Sequence, residues 1–282
     1  MSMKIYKIMP QGYCNGVKHA IKIANEAINN GSIHFLGDII HNKHVNEYYV
    51  SKGAIIHEGK TRLEMLDEIK EGKVLITAHG ASKKVYQKAK EKNLEIIDAT
   101  CPIVNIVHEN IAKYLEKNYY ILYIGKNNHP ETEGVLGISN KIKLIEKMED
   151  LKGLNIHDNT YVTTQTTLSV KLVNNITEKI KEINDKVIID TKICNATYLR
   201  QKAVLEMPKC DLCIIVGDKK SSNTNELYQI ASQITKAILV ENVNELKSYK
   251  LDYNLKINIT SGASTPDRIV DEIIDYLNLI SG

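Results

Sequence analysis

Short apolar runs recur along this chain, and each gives way to a stretch of helical period. KIYKIM precedes Cys14, LEIIDAT precedes Cys101 and KVIIDTKI precedes Cys194, all Ile-rich and strand-like. The segments that follow them are GVKHAIKIANEAI, PIVNIVHENIAKYL and ATYLRQKAVLEM. They carry apolar residues at i, i+3, i+4 and i+7, which predicts helices with one buried face. A second set of turns is FLGDIIHN, YILYIGKNNHPE and LCIIVGDKKSSN, with Gly37, Gly125 and Gly217. A third is VLITAHGAS from residue 74, YVTTQTTLS from 161 and INITSGAST from 257, each an apolar strand ending in small polar residues.

Nine strand-to-helix turns in three blocks of about 90 residues predict an α/β protein of three pseudo-repeated lobes. The first lobe is expected over residues 15–100 and the second over 101–193, with 1–14 and 194–282 combining into the third. Strands alternating with helices imply small, mainly parallel sheets, which bind ligands beyond the carboxyl ends of their strands. The polar residues of this sequence accumulate at those ends. No Pro/Gly/Ser-rich linker separates the blocks, so the lobes should pack on one another. Each is small for independent stability, which a shared cofactor would relieve.

Composition adds exclusions. Of 282 residues, 43% are hydrophobic and 25% charged, with a formal net charge of +3, which is ordinary globular composition. No apolar run approaches the roughly 20 residues that span a bilayer, and MSMKIYKIMPQG lacks the features of a signal peptide. A cytoplasmic protein without membrane partners is expected. The lysines are scattered rather than blocked, Trp is absent and Phe occurs once, so nucleic acid is not expected as a partner. A modest positive balance suits a small anionic substrate.

Five cysteines, at 14, 101, 194, 210 and 213, are more readily ligands, nucleophiles or buried fillers than disulfide partners in a reducing compartment. CDLC at 210–213 has C-x-x-C spacing, but Cys213 opens the apolar run CIIVG and no second pair follows, so both read as packing residues. The other three fall at intervals of 87 and 93 residues, each at a strand-to-helix turn, where a helix N-terminus favours the thiolate. Three thiolates leave a metal centre one ligand short, and in an iron-sulfur cluster the uncapped iron is an open Lewis-acid site. The alternative is that three buried cysteines recur merely because the lobes are related.

Nine segments in order, GYCNGV, IHN, AHG, DATCP, HPETEG, TQTTLS, ICNAT, SSNTN and SGASTPD, closely resemble the LytB/IspH family over essentially the whole chain. That family comprises the 4-hydroxy-3-methylbut-2-enyl diphosphate reductases, last enzymes of the methylerythritol phosphate route to isoprenoids. Tyr13 stands where Phe is commoner, and Tyr198 and Leu199 replace residues that are often polar. The resemblance implies a cloverleaf of three α/β lobes around one 4Fe-4S cluster bound by Cys14, Cys101 and Cys194. It implies reductive removal of an allylic hydroxyl to give isopentenyl and dimethylallyl diphosphates, with reduced ferredoxin or flavodoxin as electron donor.

A hydroxyl that departs as water needs a proton. By resemblance Glu131 of HPETEG is the proton-relay carboxylate, working with Thr166 of TQTTLS. Read without the family, Glu131 is more readily a first-turn carboxylate following Pro130. The diphosphate has no Walker-type loop to bind it. His41, His79 and His129 sit at strand-to-helix turns, where imidazolium is a good phosphate donor. Ser221, Ser222, Asn223 and Ser264 lie where helix N-termini aim amides at an anion, and N-capping is their bland alternative. The remaining histidines, His108 among them, read as structural. A quinolinate-synthase-like dehydrating enzyme and a non-catalytic iron-sulfur sensor are the competing functions. HPETEG and TQTTLS favour the reductase over the first, and the balanced charge argues against the second.

Overall fold

The apolar runs form strands and the amphipathic stretches form helices in the computed structural model, which describes residues 3–29 and 31–281. The chain begins with β1 (Lys4–Lys7), α1 (Asn15–Ile28), β2 (Ile33–Leu36), α2 (Lys43–Ser51), β3 (Ala54–His57), α3 (Arg62–Glu68), β4 (Lys73–Ile76), α4 (Lys83–Glu91) and β5 (Glu95–Asp98). It continues through α5 (Pro102–Glu116), β6 (Tyr120–Ile124), α6 (Pro130–Leu136), β7 (Ile142–Ile145), β8 (Thr160–Thr164), α7 (Val170–Ile183) and β9 (Ile188–Ile189). The last part holds α8 (Asn195–Leu205), β10 (Leu212–Val216), α9 (Ser222–Ser232), β11 (Ala237–Val240), α10 (Val243–Leu246), β12 (Lys256–Ser261) and α11 (Asp267–Ser281). All nine turns read from the sequence lead from a strand into a helix.

Three four-stranded sheets result, ordered β3-β2-β4-β5, β7-β6-β8-β9 and β11-β10-β12-β1. Every strand pairing is parallel. The order is the same in each, and the strand that leads into a cysteine takes the same edge. In the third sheet that place is filled by β1, from the opposite end of the chain, in register with β12 from Lys4 against Lys256. A parallel sheet is covered on both faces, so its inner strands are buried throughout. YILYI of β6 is buried apart from its first residue, and LCIIV of β10 is buried along its whole length.

The chain divides into two compact units. One comprises Met1–Asn15, His41–Lys43 and Asn195–Gly282, and the other Gly16–Ile40 and His44–Cys194. The first contains the sheet closed by β1, with a core of Ile214, Val216, Ile257, Ile259, Ile273 and Leu277 among others. The second contains the other two sheets.

Helix α8 departs from the apolar stripe expected of ATYLRQKAVLEM. Its buried side is Thr197, Arg200, Gln201 and Val204, while Tyr198, Leu199 and Leu205 are exposed. Buried polar groups need partners, and Arg200 has them: its Nη2 donates to Gly12 O at 2.6 Å and its Nη1 to Ala196 O at 3.2 Å. The guanidinium thus ties α8 to the turn before Cys14, a task that an apolar side chain could not perform.

Candidate active site

Cys14, Cys101 and Cys194 share one local construction. Each immediately precedes a helix or its first residue, each is half-buried, and none is in a disulfide. Each also donates its backbone N–H to a carbonyl of the polar turn that follows the neighbouring strand of its sheet: Cys14 to Ala263 O at 3.1 Å, Cys101 to Ala78 O at 2.9 Å and Cys194 to Thr166 O at 3.0 Å. These carbonyls belong to the SGAST, AHGAS and TQTTLS turns, so the threefold repeat extends to single hydrogen bonds. Gly12 is required beside the first of them. Its φ is +71°, and a Cβ there would collide with the Asp267 carboxylate.

Two aspartates that the sequence reading passed over brace the other two cysteine turns. Asp98 accepts from Thr100 N–H at 2.9 Å and from Tyr86 O–H at 2.8 Å. Asp190 accepts from Tyr161 O–H at 2.8 Å and from Asn110 Nδ2 at 3.2 Å. Both stand a few residues before a cysteine, which was the available signal.

Thiols at helix N-termini, held by their own backbone and open to one side, suit thiolate ligation. Cys213 has the opposite setting: it is fully buried within β10, and burial pushes its thiol up to about 12. Among the described residues no three His, Cys, Asp or Glu side chains gather tightly enough to hold a single metal ion. A polynuclear cluster is larger than one ion and spreads its ligands further apart.

The second unit brings His79, His129, Glu131 and Thr166 into one corner. Pro130 occupies the first position of α6, where its missing N–H costs nothing, and His129 is the N-cap. His129 Nδ1 accepts from Glu131 N–H at 3.1 Å. That nitrogen must therefore be unprotonated, which places the ring proton on Nε2 and makes His129 a neutral donor rather than the imidazolium expected above. The His79 and His129 rings meet edge to face with centroids 5.7 Å apart. Glu131, only 4% exposed, accepts from Thr166 N–H at 3.0 Å through Oε2 and from Thr166 Oγ1 at 2.9 Å through Oε1. The same Thr166 supplies the carbonyl that holds Cys194. Gln165, unremarked in the sequence, fixes this turn by accepting from Lys126 N–H at 2.9 Å and donating to Thr167 Oγ1 at 3.0 Å.

The first unit gathers hydroxyls and amides. Ser221 caps α9 by accepting from Thr224 N–H at 3.3 Å, and Ser222 and Asn223 form the first turn, buried. Asn223 Oδ1 accepts from Ala263 N–H at 2.9 Å, which joins α9 to the turn holding Cys14. Ser264 donates to His41 O at 2.9 Å, and Asn42 Nδ2 donates back to Ser264 O at 3.0 Å. Capping does not exclude anion binding here, because the N–H groups of the first helical turn have no partner within the helix.

The model of the LytB protein family matches residues 5–278. A 4-hydroxy-3-methylbut-2-enyl diphosphate reductase of Anoxybacillus flavithermus is 44% identical, with 98% of this chain and 90% of that protein covered. One from Bacillus thuringiensis is 45% identical at the same coverage. Among solved structures, the E-1-hydroxy-2-methyl-but-2-enyl-4-diphosphate reductase from Plasmodium falciparum superposes with a TM-score of 0.88 at 32% identity, covering all of this chain and 89% of that one. A second, described as the terminal enzyme of the non-mevalonate pathway, gives 0.70 at 31% identity, covering 99% of this chain and 100% of that one. With the motifs in order, the turns built alike and the match running from one end of the chain to the other, this chain belongs to the LytB family.

Proposed function

We propose that this chain reduces 4-hydroxy-3-methylbut-2-enyl diphosphate to isopentenyl and dimethylallyl diphosphates, using one 4Fe-4S cluster held by Cys14, Cys101 and Cys194. The observation that carries the reading is the Glu131–Thr166 pair beside the turn of Cys194, in a chain of this family. When bound, the cluster would supply the electrons, and its iron without a protein ligand would polarise the carbon–oxygen bond.

The rest is the work of side chains. The substrate takes up two electrons and two protons, its allylic carbon–oxygen bond breaks, and the hydroxyl leaves as water. Glu131 holds the proton for that departure. The Thr166 hydroxyl donates to the carboxylate, and when the acid is protonated it accepts from Glu131 and passes its own hydrogen on. Burial of Glu131 keeps bulk water from replacing it in this role. His129, as a neutral Nε2–H donor, binds a diphosphate oxygen while its Nδ1 secures Glu131, so anion binding and acid placement share one ring. His41, His79, Ser221, Ser222, Asn223 and Ser264 supply the remaining donors to the diphosphate. The three cysteines fall at the boundaries of lobes at 15–100, 101–193 and 1–14 with 194–282, one at each boundary. Reduced ferredoxin or flavodoxin delivers the electrons, and the reaction takes place in the cytoplasm. No helix among the described residues is long and apolar enough to cross a membrane.

Anaerobic purification, iron and sulfide counts, and turnover of the hydroxylated diphosphate with an artificial reductant test this reading. Four irons per chain with reductant-dependent release of both products support it. Iron without turnover would return the chain to the non-catalytic alternative.

A further inference from the structure

Helix α6 carries the proton corner, yet it has only seven residues and cannot hold its place by its own hydrogen bonds. What anchors it comes from the sheet of β2 to β5 in the same unit. Arg62, at the start of α3, is a buried guanidinium whose Nη1 donates to Glu133 Oε2 at 2.9 Å and to Pro130 O at 3.2 Å. The Arg62 backbone N–H donates to Glu133 Oε1 at 3.0 Å, so that both carboxylate oxygens are engaged by one residue. Two glycines set the closeness of approach. A Cβ on Gly137 would overlap the Ser82 side chain, and one on Gly134 would lie 3.3 Å from the His108 ring.

An ion pair that takes a guanidinium out of water seldom adds net stability over an apolar replacement, so stability is a poor reason for this one to exist. Its geometry offers a better reason: the Pro130 carbonyl and the Glu133 side chain bracket Glu131 along the chain. We propose that Arg62 is a positioning residue for the reaction, holding α6 through Glu133 and Pro130 so that Glu131 stays on Thr166. The proposal rests on the function proposed above. Glu133 borders a cavity of about 630 Å³ shared with Lys60, Thr61 and Thr132, so its end of the pair remains reachable by solvent.

The test compares the cluster-loaded wild type with Arg62→Met, Glu133→Ala, the double variant and Arg62→Lys. Amide exchange is followed by mass spectrometry, and kcat and KM with an artificial reductant. The expected result is faster exchange confined to residues 129–136 and Thr166 in both single variants. Turnover should fall about 10- to 100-fold with KM within about threefold, as for a misplaced catalytic group. The double variant should lose no more than the worse single one, and Arg62→Lys should recover part of kcat. Unchanged exchange and kcat in both single variants would overturn the proposal, as would loosening spread over the whole chain with loss of iron. If Arg62→Met fails to fold, Glu133→Ala carries the test, because its side chain is 36% exposed and its removal leaves no void in the core. A wild type that binds iron but turns over nothing would defeat the functional reading, while the exchange pattern would still decide whether Arg62 holds α6.

Discussion

The corner of His129, Glu131 and Thr166 and the turn of Ser221, Ser222, Asn223 and Ser264 are built on equivalent strand-to-helix connections, yet they carry different chemistry. The first is made of ionisable groups: an imidazole with a fixed tautomer and a buried carboxyl with a hydroxyl partner. It is backed by further ionisable groups, the Arg62–Glu133 pair and His108. The second is made of hydroxyls, amides and helix N–H groups, none of which titrates near neutrality. On the function proposed above, one repeated scaffold is divided between moving protons and holding an anion.

Only the cysteine turns are common to both regions, so their removal should have the largest effect. Cys14→Ala, Cys101→Ala and Cys194→Ala are each expected to lose activity and most bound iron, whereas Cys210→Ala and Cys213→Ala keep both. Iron and sulfide counts after anaerobic purification check this. Retention of iron by Cys14→Ala would confine the cofactor to the other unit and break the symmetry of the comparison. Next comes Glu131→Gln, which keeps the shape and a hydrogen bond but cannot relay a proton. Its kcat should fall on the order of 100- to 10,000-fold with KM little changed. Steady-state kinetics showing instead a raised KM would move Glu131 to the anion-binding side.

Ser222→Ala probes the other region. Loss of one hydrogen bond to a charged group, about 1.5–3 kcal/mol, should raise KM roughly 10- to 100-fold and leave kcat nearly intact. An equal fall in kcat would erase the distinction. The last effect concerns pH and stability, not turnover. Burial, with Arg62 adding to it, lowers His108 from 6.5 to about 4. The unfolded chain therefore binds a proton that the folded one refuses between those values, and stability is lost as pH falls through that window, by at most about 3 kcal/mol. Thermal melts of wild type and His108→Gln from pH 7 to 4.5 should show the shallower decline in the variant. Parallel curves would place the acid sensitivity elsewhere.

Much of this was legible because the sequence repeats it. Ile-rich runs before Cys14, Cys101 and Cys194, and polar turns at AHGAS, TQTTLS and SGAST, are local patterns seen three times. The edge strands β3, β7 and β11 escaped notice, since AIIH, IKLI and AILV are short and carry no motif. Arg62 could not be found from its surroundings. KTRLEML reads as an ordinary helix start, and its partner Glu133 lies 71 residues away. Helix α8 misled for the opposite reason: its apolar Tyr198 and Leu199 face outward, because the inward face is occupied by the bonds of Arg200. The tautomer of His129 likewise depends on a backbone hydrogen that only the folded turn presents.

Cys213 offers a clock for motions slower than catalysis. Its thiol is fully buried in an inner strand and its ionisation is pushed up to about 12, so alkylating reagents meet neither access nor a thiolate while β10 remains in its sheet. Modification must wait for that sheet to open. The rate of labelling at Cys213, set against the half-exposed Cys210 three residues earlier, therefore reports the opening free energy of this sheet within the intact molecule. A mass-spectrometric time course could then follow how substrate or cluster loading tightens one lobe, without adding a probe to the chain.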